Sequence, residues 1–295
     1  MTGHPAHHGP DGGLALDVVA PTAFVLLLAG GYALMAARAR RRNAQAGWSW
    51  WRTGWFLAGC GLLAAALLPP IAPWAHGDFR GHMLQHLLIG MYAPLGLVLG
   101  APVTLLLRNL PPAHGRRVTA LVRSRAAHVL ADPRTALALS VGTLALLYFT
   151  PLYNTVSANT GLHWLLHAHF LLAGCLFAYV IAGPDPAPTR PSVPVRLVVL
   201  GVAIAAHALL SQLMYGGFGI NIHAPVDQVQ GGAEIMYYGG DSAELLLAAA
   251  LVATWRPRST RSVGQRAAPG SAPLRKRRSF AARGSGSVPF RARLR

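Results

Sequence analysis

His82 and His86 stand four residues apart near the start of the apolar stretch GHMLQHLLIGMYAPLGLVLGAPVTLLLR (81–108). Residues at i and i+4 share a helix face, so both imidazoles point the same way and make a compact half-site for a metal ion. His163 and His167 repeat that spacing at the start of a later apolar stretch, with His169 turned to another face. His207 follows in a third, and Asp227, Glu234, Asp241 and Glu244 cluster around the start of the last. Imidazole suits copper, zinc and iron, and the thioethers of Met83, Met91, Met214 and Met236 would soften a site toward Cu(I). A lone membrane histidine is ordinarily a helix–helix hydrogen bond. Six from three helices at one depth point either to a metal site or to a polar, water-filled vestibule. The nearby acids suit the orienting of imidazoles or a proton route.

The elements that must position these groups are membrane helices. The chain of 295 residues is 53% hydrophobic and 12% charged, far below the roughly 25% charged of soluble domains. Seven apolar segments, at about 16–37, 53–70, 81–101, 135–151, 162–183, 194–215 and 231–254, each approach the ~20 residues a helix needs to cross a bilayer. The basic residues alternate between the connections: 25 of the 26 Lys and Arg fall on one side and only Arg80 on the other. By the positive-inside rule this predicts an all-α, polytopic bundle of seven transmembrane helices, N-terminus out and C-terminus in. All six histidines then lie in the outer halves of their segments.

Three regions follow: a flexible His-containing tail (1–15), the membrane domain (16–255) and a disordered basic tail (256–295). His4, His7 and His8 in the first tail could bind metal loosely or be incidental. The arginines follow the first apolar segment rather than precede it, so that segment reads as an uncleaved span. Arg116–Leu130 reads as one basic amphipathic surface helix, and the prolines between 184 and 194 as a stiff inner loop. The Arg-rich tail fits anionic lipid at the inner face. Despite a net charge of +17, its spread over short inter-span clusters argues against nucleic acid. Cys60 and Cys175 sit inside apolar runs with no paired motif.

Several chemistries are excluded or disfavoured. Lys276, the one lysine, lies in the tail, so no retinal Schiff base can form in the bundle. Two stacked haems would need a second, inner set of histidines; one outer haem remains an alternative. A permease would need polar residues continuing inward, and no Gly-x-Ser-x-Gly or His-Glu-x-x-His motif marks a hydrolase.

Three blocks carry a family resemblance: HMLQHLLIGMYAPLGLVLGAPVTLLLR (82–108), HWLLHAHFLLAGCLFAYVIAGPDP (163–186) and DQVQGGAEIMYYGG (227–240). Together they resemble the CtaG-type assembly factors of caa3-type cytochrome c oxidase, over roughly residues 20–255. The resemblance implies a seven-span, non-enzymatic protein of the bacterial cell membrane. It implies a role in maturing the haem–copper oxidase: transient copper binding on the extracytoplasmic side and delivery toward the CuB centre of subunit I. The positions matching the family pattern, and so the expected metal set, are His82, His86, His163, His167, His169, His207 and Asp227. Tyr237 departs from the pattern, where Trp is common. A haem-binding membrane oxidoreductase and a metal-free assembly scaffold stand as the alternative functions. Because ligation needs neutral imidazole, copper binding should weaken as pH falls through ~6.

Overall fold

The computed structural model describes residues 11–42, 47–188 and 190–255, and all regular structure among them is helical. In chain order the helices are α1 (Asp11–Arg42), α2 (Trp50–Leu67), α3 (Ile71–Gly77), α4 (Phe79–Leu99), α5 (Pro102–Asn109) and α6 (Pro112–Val122). They continue with α7 (Arg125–Leu130), α8 (Pro133–Phe149), α9 (Leu152–Ser157), α10 (Thr160–Ala182), α11 (Val193–Tyr215) and α12 (Val226–Thr254). Their starts follow local chemistry. Asp78, Ser124, Asp132 and Asn159 cap α4, α7, α8 and α10 through their side-chain oxygens. Proline, whose missing N–H costs nothing in a first turn, opens α5, α6, α8 and α11.

Each of the seven apolar segments is helical, but they are not equal. Five helices are long and apolar enough to cross a bilayer: α1 over Val18–Arg42, α4, α10, α11 and α12. Helices α2 and α3 pass the same test only together, as a crossing bent by 44°. Helix α8 is the shorter apolar helix of the set. By length and composition, five of the helices are candidate spans, or six with the bent pair. The connection 102–134 holds α5, α6 and α7. The surface helix expected at Arg116–Leu130 is broken at Arg123 and Ser124, where the Ser124 side chain caps a new helix. Helix α1 begins at Asp11, inside the stretch assigned to the first tail. Residues 1–10 and the basic tail 256–295 lie outside the described residues.

Helix α4 is the centre of the bundle, packed by α2, α3, α10 and α12. Between α2 and α4 the approach is backbone to backbone. A Cβ on Gly59 would lie 2.7 Å from the Leu97 nitrogen, and one on Gly96 would lie 2.8 Å from Gly59 Cα. Lipid tails offer no hydrophobic gain for helix association, so close van der Waals contact through small residues supplies it. On its other side α4 meets α10, where a Cβ on Gly174 would collide with the Gly90 carbonyl oxygen and with Pro94.

One turn of α4, Leu88–Tyr92, is π-helical, with the Ala93 N–H bonded to the Leu88 carbonyl. Its cause is two residues on: Pro94 has no N–H to give the Gly90 carbonyl and crowds that turn. Beyond it α4 ends at Leu99, and Ala101, the residue before α5, is left-handed at φ 53°. The Tyr32 hydroxyl donates to the Gly100 carbonyl at 2.7 Å, and the Trp48 indole donates to Tyr32 at 3.0 Å. Asp185 caps the next helix, α5, from across the bundle. Its carboxylate accepts from the Val103 and Thr104 N–H groups at 3.0 and 2.8 Å. The Gly-Ala-Pro and Gly-x-Asp-Pro ends of two signature blocks are thus one joint.

Candidate metal centre

The first turns of α4 and α10 bring His82, His86 and His163 together so that one ring nitrogen from each lies within 4.8 Å of the others. Ring centroids are 4.0 Å apart for His82–His86, 5.8 Å for His82–His163 and 6.4 Å for His86–His163. His167 completes a group of four, 4.4 Å from His163 and 5.6 Å from His86. His82, His86 and His167 are buried and His163 half-buried. Phe79, Tyr148, Tyr153 and Phe170 wall the group. The Tyr148 hydroxyl approaches both His86 Nδ1 at 3.5 Å and Met83 Sδ at 3.9 Å, so one hydroxyl links an imidazole and a thioether.

The mouth of the site is braced by ordinary local chemistry. Asp78 accepts from the Arg80 N–H at 2.8 Å and pairs with its guanidinium at 2.6 Å. The Arg80 side chain holds the Asp78 carboxyl below the usual carboxylate range. Gln228, from the first turn of α12, accepts from the Phe79 N–H at 3.1 Å. Gly81 lets α3 lie directly on α4: a Cβ there would meet Trp74 at 2.7 Å and the Ala75 nitrogen at 2.9 Å.

That contact places a residue the sequence reading passed over. His76 on α3 is exposed, stacked on His163 at 5.5 Å and 16°. Its Nδ1 meets the Ala72 carbonyl at 2.6 Å, which leaves Nε2 as the lone-pair nitrogen. The signal in the sequence was only that a histidine preceded the first block by six residues.

Three of the seven expected positions are elsewhere. His169 Nε2 is engaged by the Thr143 hydroxyl at 2.9 Å and lies 3.2 Å from the Leu139 carbonyl. His207 Nδ1 donates to Glu244 Oε1 at 2.7 Å, beside a cavity also lined by Gly90 and Met91. Asp227 is exposed in the first turn of α12. The six histidines therefore do not share one level. Four form the group at the start of α4 and α10, and His207 sits against α4 beside the π-helical turn, paired with Glu244 of α12. Among the described residues, that is also the one place where an acid orients an imidazole.

The donor set fits a metal. Nε2 of His82, His86 and His163, and both nitrogens of His167, have no hydrogen-bond partner among the described residues. Each such buried polar atom costs about 1–3 kcal/mol, and a bound ion would remove that cost for the nitrogens it takes. Ion–nitrogen bonds of ~2.0–2.1 Å put three ligands closer together than 4.8 Å, so ligation requires the imidazoles to draw inward.

All-helical described residues, five helices long and apolar enough to cross a bilayer, and imidazoles buried between two of them are the marks of a membrane protein. The chain belongs to the cytochrome c oxidase caa3 assembly factor family (Caa3_CtaG), whose family model matches residues 30–258. Uncharacterized proteins of Mycobacterium bovis and Mycobacterium tuberculosis are each 36% identical to it over 190 residues, 62% of this chain and 28% of theirs. An uncharacterized protein of Mycobacterium leprae is 30% identical over 259 residues, 81% of this chain and 38% of that one. The chain thus spans well under half the length of these relatives. No solved structure matches it.

Proposed function

We propose that the protein is an assembly factor for the haem–copper oxidase that binds Cu(I) transiently on His82, His86 and His163 and passes it toward the CuB centre of subunit I. His167 and Met83 stand beside the ligand set as additional donors. The observation that carries the metal is the convergence of three nitrogens within 4.8 Å with their Nε2 atoms lacking any other partner among the described residues. Neutral imidazoles with a neighbouring thioether suit a carrier, because they hold Cu(I) without the tight grip of a thiolate cage. The role is non-enzymatic: the copper is cargo, and this chain's residues bind it, keep it from water and release it.

In this reading residues 16–255 form one membrane domain of seven spans in the bacterial cell membrane, N-terminus out. Its support is the alternation of basic residues and the helicity of all seven apolar segments. At 17 residues in the range Pro133–Phe149, α8 lies at the short end of what can span. The metal group then opens outward, and the basic stretches face anionic lipid inside.

Metal analysis of the detergent-purified protein tests this. Bound copper that falls by one equivalent in His82→Ala/His86→Ala is the expected result. Wild-type protein that binds no added Cu(I), or a double variant that binds as well as wild type, removes the metal from the proposal. A Soret band in the purified protein would favour the haem alternative.

A further inference from the structure

His207 and Glu244 form a second polar centre that the outer group does not use. Both are deeply buried, with side chains 5% and 1% exposed, in helices α11 and α12. Placing ionisable groups inside a membrane domain is expensive and ordinarily marks function. The pair borders a cavity of about 20 Å³ shared by α4, α8, α10, α11 and α12 and lined by Gly90, Met91, Ser140, Gly174, His207 and Glu244, among others. That is room for one water or one ion. Glu244 Oε2, fully buried on this cavity, has no hydrogen-bond partner among the described residues, and Ser211 is spent on the His207 carbonyl at 2.8 Å.

We propose that this cavity is a second metal position, deeper in the bundle, that takes one soft monovalent ion on His207 Nε2 and Met91 Sδ. An imidazole whose Nδ1–H is given to a carboxylate is held in the tautomer and orientation that offer Nε2 to a metal; Glu244 does this to His207 at 2.7 Å. Met91 brings a thioether to the same cavity, and the nitrogen–sulfur pair selects Cu(I) over harder ions. The unpartnered Oε2 supplies compensating negative charge. The choice of ion rests on reading the outer group as a copper site; the position itself does not. Met91 follows His86 by five residues, so the two positions lie roughly 7 Å apart along α4. An ion could move between them without leaving the bundle.

The test is titration of full-length, detergent-purified protein with Cu(I) against a coloured Cu(I) chelator. The background carries His4→Ala, His7→Ala and His8→Ala, which silences the tail. Two equivalents are expected. His82→Ala/His86→Ala/His163→Ala should remove one and His207→Phe the other. Glu244→Gln should weaken the inner equivalent about 10–100-fold. X-ray absorption should show a sulfur neighbour that Met91→Leu, a volume-conserving change, abolishes and Met83→Leu does not. A single equivalent lost with the outer variants, an unchanged Glu244→Gln titration, or a sulfur neighbour lost only in Met83→Leu overturns the second position and leaves a water in the cavity. Loss of one equivalent in His207→Phe with no change in the outer triple variant would retain it and overturn the outer site instead.

Discussion

Asp185 holds the first turn of a helix that begins more than eighty residues before it, through the backbone N–H of Thr104 at 2.8 Å and its hydroxyl at 2.5 Å. With Val103 N–H at 3.0 Å, one carboxylate serves three donors in a joint where Ala101 is left-handed. Replacing Asp185 by Ala strands all three and should cost about 2–4 kcal/mol. Asp185→Asn keeps an acceptor and should cost about half as much. Thermal unfolding in detergent reads both, and equal losses would contradict this account.

Gly174→Ala should be among the most damaging one-methyl changes in the chain. Its Cβ would strike the Gly90 carbonyl and Pro94, forcing α10 off α4 at a cost of about 1–3 kcal/mol. Since α10 carries His163 and His167, metal capacity should fall too. Gly201→Ala, whose Cβ meets nothing within 4 Å, should be neutral or stabilising by about 0.5–1 kcal/mol. The comparison needs only unfolding midpoints and copper content of the two variants.

Acid should loosen the mouth of the four-histidine site. The Asp78 carboxyl is held low by Arg80, so its contribution is complete above the ordinary carboxylate pKa of ~4. It is lost as pH falls through the lower folded value. Asp78→Asn should lower stability near neutrality, where the ion pair's contribution is complete, and flatten the profile below about pH 4, where wild type loses it too. A variant whose acid profile superimposes on wild type would refute the pairing.

His76 should govern how fast metal enters rather than how much is held. It is exposed and stacked on half-buried His163, whereas His82 and His86 lie behind. His76→Ala is expected to slow Cu(I) uptake from a chelator severalfold in stopped flow while leaving the equivalents bound unchanged. Lost capacity would make it a ligand instead.

Copper retention should decline as pH drops. Protons compete for the nitrogens that ligate, so affinity is greatest where imidazole is neutral and weakens toward acid. Equilibrium dialysis at several pH values measures this. A flat profile would point to sulfur ligands alone.

Much of this was legible in the sequence. The i, i+4 spacing put His82 beside His86 and His163 beside His167, and apolar length placed every long helix. What could not be read there were relationships between helices. Depth along separate segments put His207 with the others, yet packing of α11 on α12 gives it to Glu244. His76 was invisible because the bend between α2 and α3, which lays α3 over Gly81, has no periodic signature. Arg116–Leu130 kept its helical character but not its continuity, since Ser124 prefers to cap.

The π-helical turn of α4 reaches further than its own five residues. Pro94 denies the Gly90 carbonyl its usual donor, and it is this oxygen that Gly174 comes closest to. A residue without a proton at one position therefore dictates a residue without a side chain eighty positions later. The two should be inherited as a pair. A relative that has lost the proline is the one in which an alanine opposite would find space.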